Sequence, residues 1–349
     1  MLVLNINIKM KKYVFFYFLI FFYSFSQEAV QGILTHDNLE REYILYIPSS
    51  YNGEESFPLV LNLHGYTSNA GEQMVYSNLI EVADTANFLL VHPMGTINEF
   101  NEPFWNSWQL SDVDDIGFLN SLIDFLGNEY NIDLDRVYST GFSNGGYMSY
   151  TLACELSDKI AAIASVTGSM YINQPILCNP ERPIPVMQIH GTMDLTVPYI
   201  GSNTSESIDD VISFWVNFNE CSNNPSFFSL PNINTFDNSF VEHYIYSDGN
   251  NNSSVELYKV INGGHTWPGA YIPFAGINTN QDFSASEKIW QFFSNYDING
   301  LIETVNVNEI EKEEKKLINT FDILGRETFK KGLIIELYND GSFSKKFKL

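Results

Sequence analysis

An α/β sandwich on a mostly parallel central sheet is the fold class this chain predicts, and three observations predict it. Apolar runs of strand length recur between residues 41 and 261, segments with helical apolar spacing lie between them, and a glycine-rich turn joins one strand directly to one helix. A sheet covered by helices on both faces buries its strands completely, so they read as unbroken apolar runs.

Taken in order, residues 41–47 (REYILYI) alternate and read as an edge or early strand, and 57–63 (FPLVLNL) is an apolar run closed by His64-Gly65. Residues 73–86 predict a helix and 88–91 a strand. Ile116, Leu119, Leu122, Ile123 and Leu126 have helical spacing. Asp112, Asp114 and Asp115 stand before them, where carboxylates cap free N–H groups and suit the positive end of a helix dipole. Residues 136–140 read as a strand, 147–156 as a helix, and 161–166 and 184–189 as buried strands. A helix at 207–218, a strand at 255–261 and a helix at 283–293 complete the domain. In such a sheet the reactive residues lie in loops beyond the carboxyl ends of the strands.

Composition divides the 349 residues into three zones, expected as an export signal (1–26), a main domain (27–300), and a linker (301–315) with a β-type tail (316–349). The first zone holds Lys9, Lys11 and Lys12 before the run YVFFYFLIFFYSF (13–25), the layout of a signal peptide cleaved near Ser26–Gln27, with Met1 or Met10 as start. The run is shorter than the roughly 20 residues that span a bilayer, so the mature chain is expected to have no stable membrane span. The main domain holds 33 acidic against 6 basic side chains, a charge of −27 within the formal net charge of −24. That balance excludes a phosphate-backbone binder, since nucleic-acid affinity rests largely on Lys and Arg. Export makes disulfides permissible. Of the three cysteines, Cys154 sits on the 147–156 helix and reads as a buried thiol, which leaves Cys178–Cys221 as the expected pair.

The strongest chemical signal is Gly141-Phe142-Ser143-Asn144-Gly145-Gly146, between a strand and a helix. This is the context of a nucleophile elbow, in which Ser143 projects its hydroxyl beside the free N–H groups of the following helix. A serine needs a base, and His265 in GGHTWPG (263–269) is the best placed of the six histidines. The base needs an acid, and Asp194 in HGTMDLTVP (190–198) follows a buried strand, whereas Asp209 and Asp210 read as helix-start residues. The order Ser143, Asp194, His265 is that of an α/β-hydrolase. Backbone N–H groups of Asn144 and Tyr66, the latter after Gly65 with Thr67 as second choice, are the expected oxyanion donors. His64 and His190 read as loop-shaping residues. Trp105, Trp108 and Trp267, with Thr67, are the candidate substrate contacts. No metal cluster and no cofactor motif emerge, and the nearest cation in sequence to His265 is Lys259, which favours a neutral ester as substrate.

The HG loop, DVDDIGF, GFSNGG, HGTMDLTVPY and GGHTWPG together resemble the secreted polyhydroxybutyrate depolymerase-like esterases, which include feruloyl and acetylxylan esterases. The resemblance runs from about Gln31 to Tyr296 and implies an α/β-hydrolase with Ser143, Asp194 and His265 as nucleophile, acid and base. It implies feruloyl or acetyl esters of plant polysaccharide as substrates, with short-chain polyester as the alternative. Relatives often carry a further Cys near residues 244–249, and this chain has none there. A peptidase with the same triad, and a non-catalytic carbohydrate-binding surface protein on the same fold, are the competing classes.

The tail predicts strands at 316–321, 333–338 and 342–349, with a hairpin turn at Asn339-Asp340-Gly341. Asp322, Gly325, Arg326, Glu327, Gly341, Lys345 and Lys346 resemble the C-terminal sorting signals of Bacteroidota, which implies the type IX secretion machinery as partner.

Overall fold

The structure, a computed structural model, describes residues 28–109, 111–272, 276–302, 317–322, 332–338 and 343–348. The expected signal, most of the linker, the expected 339–341 turn and the tail positions Gly325, Arg326 and Glu327 lie outside these residues. The chain divides into two units, Met1–Ile302 and Glu303–Leu349.

The first unit begins with β1 (Glu28–His36), β2 (Leu39–Ile47), β3 (Phe57–Leu63), α1 (Ala70–Ser77), α2 (Leu79–Ala86) and β4 (Leu89–Pro93). A small hairpin, β5 (Thr96–Ile97) and β6 (Pro103–Phe104), precedes α3 (Asp115–Glu129), β7 (Ile132–Phe142), α4 (Asn144–Glu155) and β8 (Ile160–Val166). Then come α5 (Gln174–Leu177), β9 (Val186–Gly191), α6 (Ile208–Phe218), β10 (Ser226–Ser229), β11 (Phe240–Tyr246) and β12 (Val255–Ile261). It closes with α7 (Ala285–Phe293), β13 (Tyr296–Asp297) and β14 (Gly300–Leu301).

Ten strands form one sheet in the order β1-β2-β4-β3-β7-β8-β9-β12-β11-β10. The six from β4 to β12 are parallel to one another, and the two strands at each end are antiparallel. The reason is visible in β3. Leu59, Leu61 and Leu63 enter one core with α3, α4 and α6, while Val60 enters the opposite core with α2 and α7. Both faces are covered, so all seven residues of β3 are buried.

Most expected elements stand within a few residues of their place, and the departures have local causes. The helix expected at 73–86 is two helices, because Asn78 adopts φ 51° between α1 and α2; asparagine tolerates this left-handed conformation better than other side chains do. Of the two alternatives for residues 41–47, they form an early strand and not the edge, since β1 pairs outside them along nine residues. At the start of α3, Asp114 caps Gly117 N–H. Its neighbour Asp115 turns inward onto Arg41 at 2.6 Å, both side chains buried, and accepts the Asn106 N–H at 2.6 Å. Burial pushes the Asp115 carboxyl up, against the pull of the Arg41 charge.

The expected Cys178–Cys221 bridge is replaced by Cys154–Cys178, and Cys221 is a buried free thiol. Packing of α4 against the chain that follows α5 brings the Cα atoms of Cys154 and Cys178 to 5.0 Å, a separation sequence spacing does not reveal. The bridge closes 24 residues, worth about 3 kcal/mol on the loop-entropy account. Cys178→Ala is therefore expected to lower Tm by roughly 6 °C or more. Peptide mapping of the unreduced chain checks the pairing, and a native map with Cys178 alkylated rejects it.

The second unit contains one antiparallel sheet of β15 (Leu317–Asp322), β16 (Gly332–Tyr338) and β17 (Phe343–Lys348), close to the three expected strands. Among the described residues no helix is long and apolar enough to cross a membrane.

Candidate active site

Ser143 sits between β7 and α4 with φ 53° and ψ −116°, a conformation costly for a residue with a side chain. The strand and helix close tightly around it. A Cβ on Gly145 would lie 2.2 Å from Leu63 O, and one on Gly141 would lie 2.4 Å from the Gly145 carbonyl carbon. The Ser143 N–H donates to Val166 O at 2.9 Å. Its hydroxyl makes no hydrogen bond among the described residues.

The acid and base loops meet because β9 and β12 are adjacent and parallel, so their carboxyl ends emerge side by side. Thr192 N–H donates to Val260 O and Met193 N–H to Gly263 O, both at 2.9 Å. Asp194 is buried; its Oδ1 accepts the N–H groups of Thr196 at 2.9 Å and Val197 at 2.8 Å. Its Oδ2 lies 2.7 Å from His265 Nδ1. A carboxylate there assigns the proton to Nδ1 and leaves Nε2 as a lone-pair acceptor. Ser143 and His265 line the same cavity, but no hydrogen bond joins them. Links of this kind are often long before substrate arrives.

His190 is a buried shaping residue, as its position in the loop predicts. Its Nε2–H donates to Val197 O at 2.8 Å and its Nδ1 accepts from Gln188 at 2.9 Å. Burial pushes its pKa down. His64 does the same for the opposite loop: Nδ1–H donates to Gly65 O at 2.7 Å, Nε2 accepts the Gly95 N–H at 2.9 Å, and burial lowers its pKa to about 4.

Two expected roles change at the oxyanion loop. Thr67 N–H is committed to Pro103 O at 2.8 Å, which removes it as a donor, while the N–H groups of Tyr66 and Asn144 have no partner among the described residues. Trp105, expected to contact substrate, is 1% exposed. Its indole donates to His64 O at 3.1 Å, and its backbone N–H and C=O bind the Asn144 side chain at 2.7 and 3.1 Å. It thus ties together the two segments that carry the free N–H groups. Though buried, Trp105 still lines the smaller cavity beside Ser143, whereas Trp267, equally buried, lines neither cavity there; its indole donates to Ser286 at 3.0 Å under α7. Large indoles bury more apolar area in the core than at a rim, which decides the case of Trp267. Trp108 does line a cavity beside Ser143, as do Tyr76 and Tyr147, which the sequence reading missed. Tyr147 stands one helical turn after Ser143, a spacing that points to it.

A family model described as Phospholipase/Carboxylesterase matches residues 112–225. The bifunctional acetylxylan esterase/xylanase of Neocallimastix patriciarum is 31% identical over 159 residues, 46% of this chain and 22% of that protein. Feruloyl esterase B of Piromyces equi is 27% identical over 202 residues, 53% of this chain and 37% of that one. The chain thus spans well under half the length of these two relatives. Among solved structures, an acetyl xylan esterase from Aspergillus awamori superposes with TM-score 0.54 at 13% identity, covering 76% of this chain and 99% of that one. The chain has an α/β-hydrolase-like fold, and about half of it is similar in sequence to feruloyl and acetylxylan esterases.

Two buried histidines predict that the stability of this fold falls in acid. On β4, His92 is wholly buried with neither ring nitrogen bonded among the described residues, and burial lowers its pKa to about 3. Unfolded, His64 and His92 would take up protons below about 6.5, whereas the folded state holds them neutral. Their lowered folded values stabilise the fold fully above that pH, and the contribution fades as pH falls towards 4 and 3. Acidification to pH 4 is expected to remove on the order of 3 kcal/mol for each. His92→Phe should flatten the Tm-against-pH curve between 6.5 and 4; an unchanged slope excludes a titrating His92.

Proposed function

We propose that this protein is a secreted serine carboxylic-ester hydrolase that cleaves feruloyl or acetyl esters of plant polysaccharide through an acyl-enzyme. One observation carries the reading: the buried Asp194–His265 pair opens on the cavity that also holds Ser143 at its strained turn. His265 Nε2 takes the Ser143 proton as Oγ attacks the ester carbonyl, and Asp194 stabilises the imidazolium that forms. The N–H groups of Tyr66 and Asn144 receive the developing oxyanion, each worth about 3 kcal/mol in such sites. His265 then protonates the departing alcohol, and water hydrolyses the acyl-enzyme by the same route.

Neutral esters are favoured because no Lys or Arg among the described residues lines either cavity at Ser143. The basic-then-apolar start of the chain supports export, and the charge change with a three-stranded C-terminal unit supports a sorting tail recognised by secretion machinery. A comparison of kcat/KM on methyl ferulate, acetylated xylan and short hydroxybutyrate oligomers tests the substrate class. Preference for either of the first two is expected, and preference for the oligomers replaces this reading with a polyester depolymerase. Failure of a fluorophosphonate to label Ser143 would reject the nucleophile itself.

A further inference from the structure

Ser143, Tyr66 and Thr196 form a partition between two cavities of about 1060 and 710 Å³. His265 borders only the larger. The larger cavity is lined further by Ser68, Asn69, Glu72, Val75 and Tyr76, which lie on α1 and at its start. The smaller is lined by Phe104, Trp108, Asn144 and Tyr147.

The proton balance of the reaction turns this asymmetry into an orientation, which rests on the Ser143–His265 reading above. In the tetrahedral intermediate the former carbonyl carbon carries Ser143 Oγ, the oxyanion, the acyl chain and the alcohol oxygen. Tyr66 and Asn144 claim the oxyanion. Collapse reforms the C=O bond and breaks the bond to the alcohol oxygen, whose electron pair leaves with it and takes the proton from His265 Nε2. The alcohol oxygen must therefore face the histidine. We infer that the ester lies across Ser143 with its alcohol portion in the larger cavity beside His265 and its acyl group in the smaller cavity of Trp108 and Tyr147.

The walls name the chemistry of each half. Apolar surface beside hydroxyl, amide and carboxylate groups in the larger cavity fits a neutral alcohol with one apolar face and a hydroxyl edge, as a sugar ring has. Aromatic walls fit a flat or apolar acyl group. Glu72 in the larger cavity and Glu99 in the smaller oppose a carboxylate on either half.

Filling each cavity separately tests the orientation. Val75 is 59% exposed on α1, and Thr204 is exposed at the smaller cavity, so Trp fits at either without entering the core. The probes are methyl acetate, methyl ferulate and an acetylated methyl xyloside, compared by kcat/KM. Val75→Trp is expected to lower the xyloside-to-methyl acetate ratio at least fivefold and to move the ferulate-to-acetate ratio less than twofold; Thr204→Trp is expected to do the reverse. Methyl acetate turnover in each variant reports that it is folded. Exchange of the two effects, or neither ratio moving, overturns the orientation while leaving the serine-esterase reading standing. No turnover of any probe by the unsubstituted chain overturns that reading, and the orientation falls with it.

Discussion

Ser143→Ala is expected to lower ester turnover by at least about 10⁴-fold while the fold is retained. The hydroxyl makes no hydrogen bond among the described residues, so its removal leaves no buried group unpaired. Alanine must adopt the same φ of 53° and inherits the same backbone cost. Any residual rate would come from the Tyr66 and Asn144 N–H groups and from binding alone. Circular dichroism and kcat on methyl ferulate check both halves of this expectation; a variant within tenfold of the parent excludes Ser143 as nucleophile.

Asp194→Asn is the second large effect, a loss of about 10⁴-fold in kcat. Asp194 uses its two oxygens differently. Oδ1 holds the Thr196 and Val197 N–H groups, and Oδ2 faces His265 Nδ1. An asparagine can keep its Oδ1 on the two backbone groups, which preserves the loop and turns its amide NH₂ towards the imidazole. The amide then donates to Nδ1, so the ring proton moves to Nε2, where the lone pair is required. The loss should therefore fall on kcat, with KM and Tm little changed. A fall in Tm that parallels the lost activity would mean that Asp194 acts only as a loop anchor.

The elements most legible in the sequence were those whose pattern is set by neighbours a few residues away. β3 matches its expected bounds because a strand buried on both faces reads as a nearly unbroken apolar run, and β12 because apolar residues dominate it despite Glu256 and Lys259. α6 begins at Ile208 with Ser207 as cap, where serine before an apolar stripe predicts a start. β1 was missed because its described residues alternate only between exposed and half-buried positions, as an edge strand does. Asn78 hid a helix break within an otherwise continuous pattern.

At the candidate site, Ser143, Asp194 and His265 could be named from motif context, since a strand followed by a tight turn signals where a side chain is presented. Their neighbours could not. Trp267 stands two residues from His265, yet its indole turns into the interior, and the indole N–H groups of Trp105 and Trp267 both serve the scaffold. Thr67 and Tyr66 are adjacent, yet one N–H is spent on the β5–β6 hairpin and the other is left free.

By itself the sequence determined the order of the principal strands and helices from β2 to α7, the export-like start, and which hydroxyl, imidazole and carboxylate could work together, because each depends on short-range periodicity and turn chemistry. Only the tertiary structure decided that Cys154 pairs with Cys178, which tryptophans reach a cavity, and that Ser143 stands between two cavities of which one borders His265. Those outcomes depend on distances between segments far apart in the chain, and such distances are set by how helices pack on the sheet rather than by any local pattern.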